Sequence, residues 1–181
     1  MLSLLAEDNS PKGIRDYALI RVLADLGLRR GEVVGLDLED LDLDQGIIAV
    51  RRKGHDGAKN LTLPPETLNA LGAWVSRRGP RTGPLFTSLA RWLVDQPTRL
   101  SGDGIGYVLK TRGIEAGVGA IRPHGLRHTA ITTGLDASGG DLRRVQQFAA
   151  HTDPKVTTLY DDSRKDHAGE VARMVAARYG K

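Results

Sequence analysis

The chain has 181 residues, a formal net charge of +4 and a pI near 9.6, and it contains no cysteine. That length predicts one domain with room for a real core. The missing cysteine excludes disulfides, thiolate metal sites and cysteine nucleophiles, while the basic balance permits nucleic-acid binding without requiring it.

In chain order, residues 1–12 (MLSLLAEDNSPK) end in a turn-like Asn-Ser-Pro and predict a linker. Residues 13–28 place Ile14, Ala18 and Val22 at helical spacing, with Gly27 closing the helix and a second short helix starting at Arg30. Leucine alternates with acid over 36–44 before a turn. The segments GIIAV and KNLTLP predict two strands of a hairpin, with Arg51-Arg52-Lys53-Gly54 entering its glycine-rich bend. An amphipathic helix over 65–78 follows a double proline, and 79–101 reads as irregular apart from PLFTS. Beyond Ser101, a candidate N-cap, helices are expected over 103–116, 123–137, 141–149, 154–161 and 164–178. With only two Trp, four Tyr and two Phe, the core must be built from Leu, Val, Ile and Ala. The expected fold class is α+β, mainly α-helical, with one small antiparallel sheet. No apolar run approaches ~18 residues, and the N-terminus lacks the basic-then-apolar layout of a signal peptide, so a soluble cytoplasmic protein is expected.

The densest chemistry lies in AIRPHGLRHTAIT, residues 120–132. If Pro123 opens a helix, His124, Arg127 and His128 fall at i, i+3 and i+4 on one face. Two imidazoles and a guanidinium repel each other once charged, so such a patch suits an anion. A zinc pair at His124 and His128 is disfavoured, because position 125 is Gly where a metalloprotease helix carries its Glu. Arg127 would also set a fixed positive charge beside the cation. Other charged positions are unremarkable singly. Arg29 and Glu32 read as a surface ion pair, and Lys53 as a solvated hairpin lysine. His151 sits in a turn leading to an Asp153-Pro154 helix start, and Tyr160, nine residues on, reads as half-buried packing.

Taken together, LGLRRGEV, RRKG, PHGLRHTAIT and AAHTDPKVTTLY resemble, in order, residue type and spacing, the catalytic domain of the tyrosine recombinases, the phage integrase family. The resemblance covers about residues 13–175. The His-x-x-Arg-His box followed by His and Tyr is its most specific part, the arginine box less so, and the lysine weakest. It implies the DNA breaking-rejoining fold, with Arg29, Lys53, His124, Arg127 and His151 as activating residues, Tyr160 as nucleophile, and Glu32 and His128 in support. It implies DNA contacts from Arg29, Lys53 and Arg127, no cofactor and no metal.

The chemistry answers why the cations cluster. Cleaving a DNA phosphodiester needs a nucleophile, compensation for charge on the non-bridging oxygens, and a proton for the departing 5′-oxygen. Arginine forks suit the phosphate, and preorganised donors of this kind typically supply ~3–4 kcal/mol each to a transition state. Tyrosine is a poor nucleophile at its free pKa of ~10, so His124 is the chosen base and Lys53 the general acid. The resulting 3′-phosphotyrosine keeps the bond energy, and rejoining reverses the roles.

Three departures stand out. The residue before His151 is usually Gly in this family and is Ala150 here; a left-handed turn there would cost roughly 1 kcal/mol. The bend KGHDGAKN is longer than the common version, which makes Lys59 a rival to Lys53. The family's N-terminal core-binding domain is expected to be missing, with residues 1–12 as a linker remnant and 13–181 as the catalytic domain of a fragment or natural minimal member. The expected partner is double-stranded DNA in the nucleoid, bound by a monomer that assembles into a tetramer on DNA. Type IB topoisomerase-like relaxation and a non-catalytic DNA-binding relic are the alternatives. The C-terminal stripe Ala168, Val171, Ala172, Val175 and Ala176 is expected either to pack on its own domain or to dock on a neighbouring protomer.

Overall fold

In the computed structural model, which describes residues 2–52, 57–89, 98–150 and 167–179, Ser10 and Pro11 set where the first long helix starts. The Ser10 hydroxyl accepts from the Gly13 N–H at 3.0 Å, and Pro11 occupies the first turn, where its missing N–H costs nothing. Helix α2 (Pro11–Asp25) therefore begins ahead of the expected residue 13. Before it, within the stretch expected as linker, Leu2–Leu5 form the short helix α1, whose Leu5 is buried in the core.

Helix α3 (Arg30–Val34) follows a tight loop, and the acid–leucine alternation resolves into a 3-10 turn (Leu38–Asp40) and a two-residue strand β1 (Leu41–Asp42). The expected hairpin is present as β2 (Ile47–Arg51) and β3 (Ala58–Thr62). β1 adds a third antiparallel strand, in the order β1-β2-β3, pairing Leu41 with Ile48 and Asp42 with Ile47. Strand alternation turns Ile48 and Val50 into the core, both fully buried, while Arg51 on the other face pairs with Asp40 at 3.0 Å.

Helix α4 (Pro65–Arg78) starts at the second proline as expected and packs on α2. Its buried Trp74 donates from Nε1 to the Leu85 carbonyl at 2.8 Å, which fastens the irregular 79–89 segment to the domain. Ser101 caps α5 (Gly102–Glu115), accepting from the Gly104 N–H at 3.1 Å. Then come α6 (Pro123–Ala137), opened by Pro123 as expected, and α7 (Leu142–Ala149), capped by Asp141. α8 (His167–Tyr179) falls on the last expected helix, whereas the expected helix over 154–161 lies outside the described residues.

Apolar burial divides in two. The main cluster joins α1 to α5 with the sheet, and a smaller one joins Ile131 and Leu135 of α6 to Val145 and Ala149 of α7. Charge is buried in the main cluster as well. Asp16 is fully buried and accepts from Arg15 Nη2 at 2.6 Å and from Arg112 Nε at 2.8 Å, tying α2 to α5. Arg112 also reaches Asp8 and Glu115, each at 3.0 Å. Among the described residues, no helix is long and apolar enough to cross a membrane.

Candidate active site

The α2–α3 loop, the start of α6 and the end of α7 converge because one arginine binds two of them from the third. Arg127 of α6, only 6% exposed, donates from Nη1 to the Gly27 carbonyl and from Nη2 to the Ala149 carbonyl at 2.6 Å. Gly27 is required twice over at that point. Its φ is +57°, and a Cβ there would stand 2.9 Å from the Phe148 ring of α7. Arg127 thus bridges the two hydrophobic clusters while its guanidinium is held rigidly in place.

Arg29 stands at the N-cap of α3 with extended backbone. Glu32 accepts from the Arg29 N–H at 2.8 Å through one oxygen and from Arg29 Nη1 at 2.9 Å through the other. The pair is therefore more than a surface salt bridge. Its carboxylate is 6% exposed while the guanidinium is 42% exposed, so a buried anion aims an accessible cation. Arg29 Nη2 also donates to the Ala150 carbonyl at 3.4 Å.

Arg29, Arg127 and His124 line one cavity of about 320 Å³ together with Arg30, Arg122 and Pro123. Its described lining holds four arginines, one histidine and no carboxylate, which is an arrangement for an oxyanion. Arg30 and Arg122 had not been singled out from the sequence; each is adjacent to a motif residue or to its helix-opening proline, and that adjacency was the available signal. His128 lies on the same helix, exposed, with Nδ1 3.4 Å from the Thr132 hydroxyl, and it is not among the residues described as lining this cavity. Lys53, His151 and Tyr160 lie outside the described residues. Their described neighbours Arg52 and Ala150 line a common second cavity, which Lys59 of β3 also lines.

Ala150 adopts φ 47° and ψ 52°, the one non-glycine among the described residues at positive φ. The left-handed turn anticipated at this position is thus present with a Cβ in it. Ala150→Gly is expected to raise stability by about 0.5–1 kcal/mol, read as a higher urea midpoint at unchanged slope; an unchanged or lower midpoint would show that the turn carries no strain.

A basic cavity without a carboxylate in its described lining, in a mostly helical domain that carries one three-stranded sheet, defines a class, and comparison with known proteins agrees. The phage integrase family model matches residues 1–167. A tyrosine recombinase of Synechocystis is 35% identical over 171 residues, covering 93% of this chain and 54% of the relative. The tyrosine recombinase XerC of Salmonella typhi is 33% identical over 178 residues, covering 96% of this chain and 57% of the relative. The crystal structure of the XerA recombinase superposes with a TM-score of 0.74 at 29% identity, covering 98% of this chain and 60% of that one.

The chain belongs to the phage integrase family and has the tyrosine recombinase fold. It spans a little over half the length of the curated relatives it matches.

Proposed function

We propose that this chain cleaves and rejoins DNA as the catalytic domain of a site-specific tyrosine recombinase, through a 3′-phosphotyrosine and without metal or cofactor. The observation that carries the reading is the convergence of Arg29, at the start of α3, with His124 and Arg127 of α6 on one cavity without a carboxylate among its described lining. In the proposed step the Tyr160 oxygen attacks the phosphorus and the bond from phosphorus to the 5′-oxygen breaks. His124 takes the phenolic proton and Lys53 supplies one to the departing oxygen, with Lys59 as the rival donor. Arg29 and Arg127 compensate the charge growing on the non-bridging oxygens, and their fixed mountings on Glu32 and on two backbone carbonyls supply the preorganisation such compensation needs. His151 would hydrogen-bond the same phosphate, and His128 would hold an arginine or a carbonyl in place. Reversal with a 5′-hydroxyl as nucleophile rejoins the strand.

DNA is the proposed partner, in the cytoplasm and on the nucleoid. Neighbours in fold include XerH bound to difH substrate and the Tn1549 integrase in complex with transposon right end DNA. The relatives' names favour recombination over supercoil relaxation, and hence assembly into a tetramer on DNA from a free monomer. The exposure of Val171, Met174 and Val175 on α8, each about half exposed or more, supports docking on a neighbouring protomer. The test is incubation with nicked duplexes in excess chelator. A denaturation-resistant protein–DNA adduct that maps to the peptide containing Tyr160 is expected. Its absence, or its dependence on added magnesium or zinc, would overturn the reading.

A further inference from the structure

Arg52 is in an unusual position. It continues the inward parity of Ile48 and Val50 past the end of β2 and is only 5% exposed. Its Nε, Nη1 and Nη2 are all buried with no hydrogen-bond partner, and among the described residues it alone has buried side-chain nitrogens in that state. Glu32, the carboxylate whose field it feels, is already engaged by Arg29. Burial pushes the Arg52 guanidinium below the ordinary arginine range; Glu32 opposes that shift and Arg29 adds to it. An isolated buried cation is among the most unfavourable features a fold can hold, and such violations of polar pairing concentrate at binding sites.

What Arg52 faces supplies the reason. It lines a cavity of about 710 Å³ between β3 and α7, with Lys59, Asn60, Arg143, Gln146 and Gln147. Three cations and three amide side chains point to one ligand chemistry, an oxyanion, and the described lining has no carboxylate. Ala150, whose carbonyl accepts from Arg29, also lines it, so this cavity adjoins the one holding Arg29 and Arg127.

We propose that this cavity is a second phosphate subsite, seating a DNA backbone phosphate other than the one cleaved, with Arg52 as its buried anchor. The inference rests on the recombinase reading. The planar fork is matched to two phosphate oxygens, and water held off the guanidinium leaves its charge unscreened until the phosphate arrives. Arg52 is a binding residue here, distinct from the groups at the scissile phosphate.

The full chain, Arg52→Met and Arg52→Lys are compared on one duplex carrying single methylphosphonate substitutions, scanned along both strands. Arg52→Met should weaken binding about tenfold or more and reduce the slope of log K against log salt by about 0.9. One methylphosphonate away from the cleaved bond should weaken the unaltered chain yet add no further loss in Arg52→Met. Arg52→Lys keeps the charge without the fork, and should retain the salt slope while losing most of the effect at that one position. Without DNA, Arg52→Met should melt at least about 2 °C higher, since it removes an unpaired buried charge. A lower melting temperature, or failure of Arg52→Met to fold, would overturn the proposal by showing that the Arg52 guanidinium stabilises the DNA-free fold. An identical phosphate profile in all three proteins would also overturn it. If the unaltered chain neither binds duplex nor forms the adduct, the recombinase reading itself fails; if it does both and the Arg52 variants match it, the subsite alone fails.

Discussion

Tyr160→Phe is expected to abolish covalent adduct formation, a loss on the order of 10⁴-fold or more in cleavage, while DNA affinity stays within about twofold. The substitution removes one oxygen and keeps the ring, so packing and the phosphate-binding arginines are untouched. The competing tyrosines are placed poorly for the same chemistry. Tyr17 packs against the main core from α2 and Tyr107 stands 66% exposed on α5, and neither lines the cavities holding Arg29, Arg127 or Arg52. Tyr179 ends α8. Quantifying adduct by denaturing gel, beside equilibrium binding to the same duplex, checks the expectation. An adduct that persists in the Phe variant, or maps to one of the other three tyrosines, would remove Tyr160 from the nucleophile's role.

Asp16→Asn should destabilise the fold by roughly 3–5 kcal/mol. Asp16 is fully buried; one oxygen accepts from Arg15 Nε at 3.0 Å and Nη2 at 2.6 Å, and the other accepts from Arg112 Nε at 2.8 Å. An amide keeps the volume but offers one acceptor and no charge. Two largely buried guanidiniums then remain, with Arg112 still able to use Asp8 and Glu115 and Arg15 keeping the Thr87 carbonyl. Thermal unfolding without DNA should show a fall in Tm of about 10 °C or more. A change under about 2 °C would mean that solvent reaches the network and shares its charge.

The features legible along the chain were those set by neighbours a few residues apart. Pro123 opening α6, Pro65 opening α4, Ser101 capping α5 and the β2–β3 hairpin are local decisions, since a cap, a proline ring or a two-residue alternation acts within one turn or one strand pair. The motif residues Arg29, Glu32, His124 and Arg127 were legible for a different reason: spacing alone gave only an ion pair and a basic helix face, and it was their joint resemblance to the recombinase motifs that marked them as a site. β1 escaped notice because two residues carry almost no periodic signal, and α1 because a single helical turn is stabilised by the burial of Leu5 rather than by propensity.

The long-range partners could be decided only by the fold. Arg127 reaches Gly27 across 100 positions and Arg112 reaches Asp16 across 96, and no pattern in the intervening residues specifies either bond. Whether a cation is solvated, paired or buried alone depends on which elements close over it. Arg51 and Arg52 are adjacent and identical in type, yet one finds Asp40 while the other is sealed without a partner, because successive strand positions face opposite sides and only packing determines what each side meets.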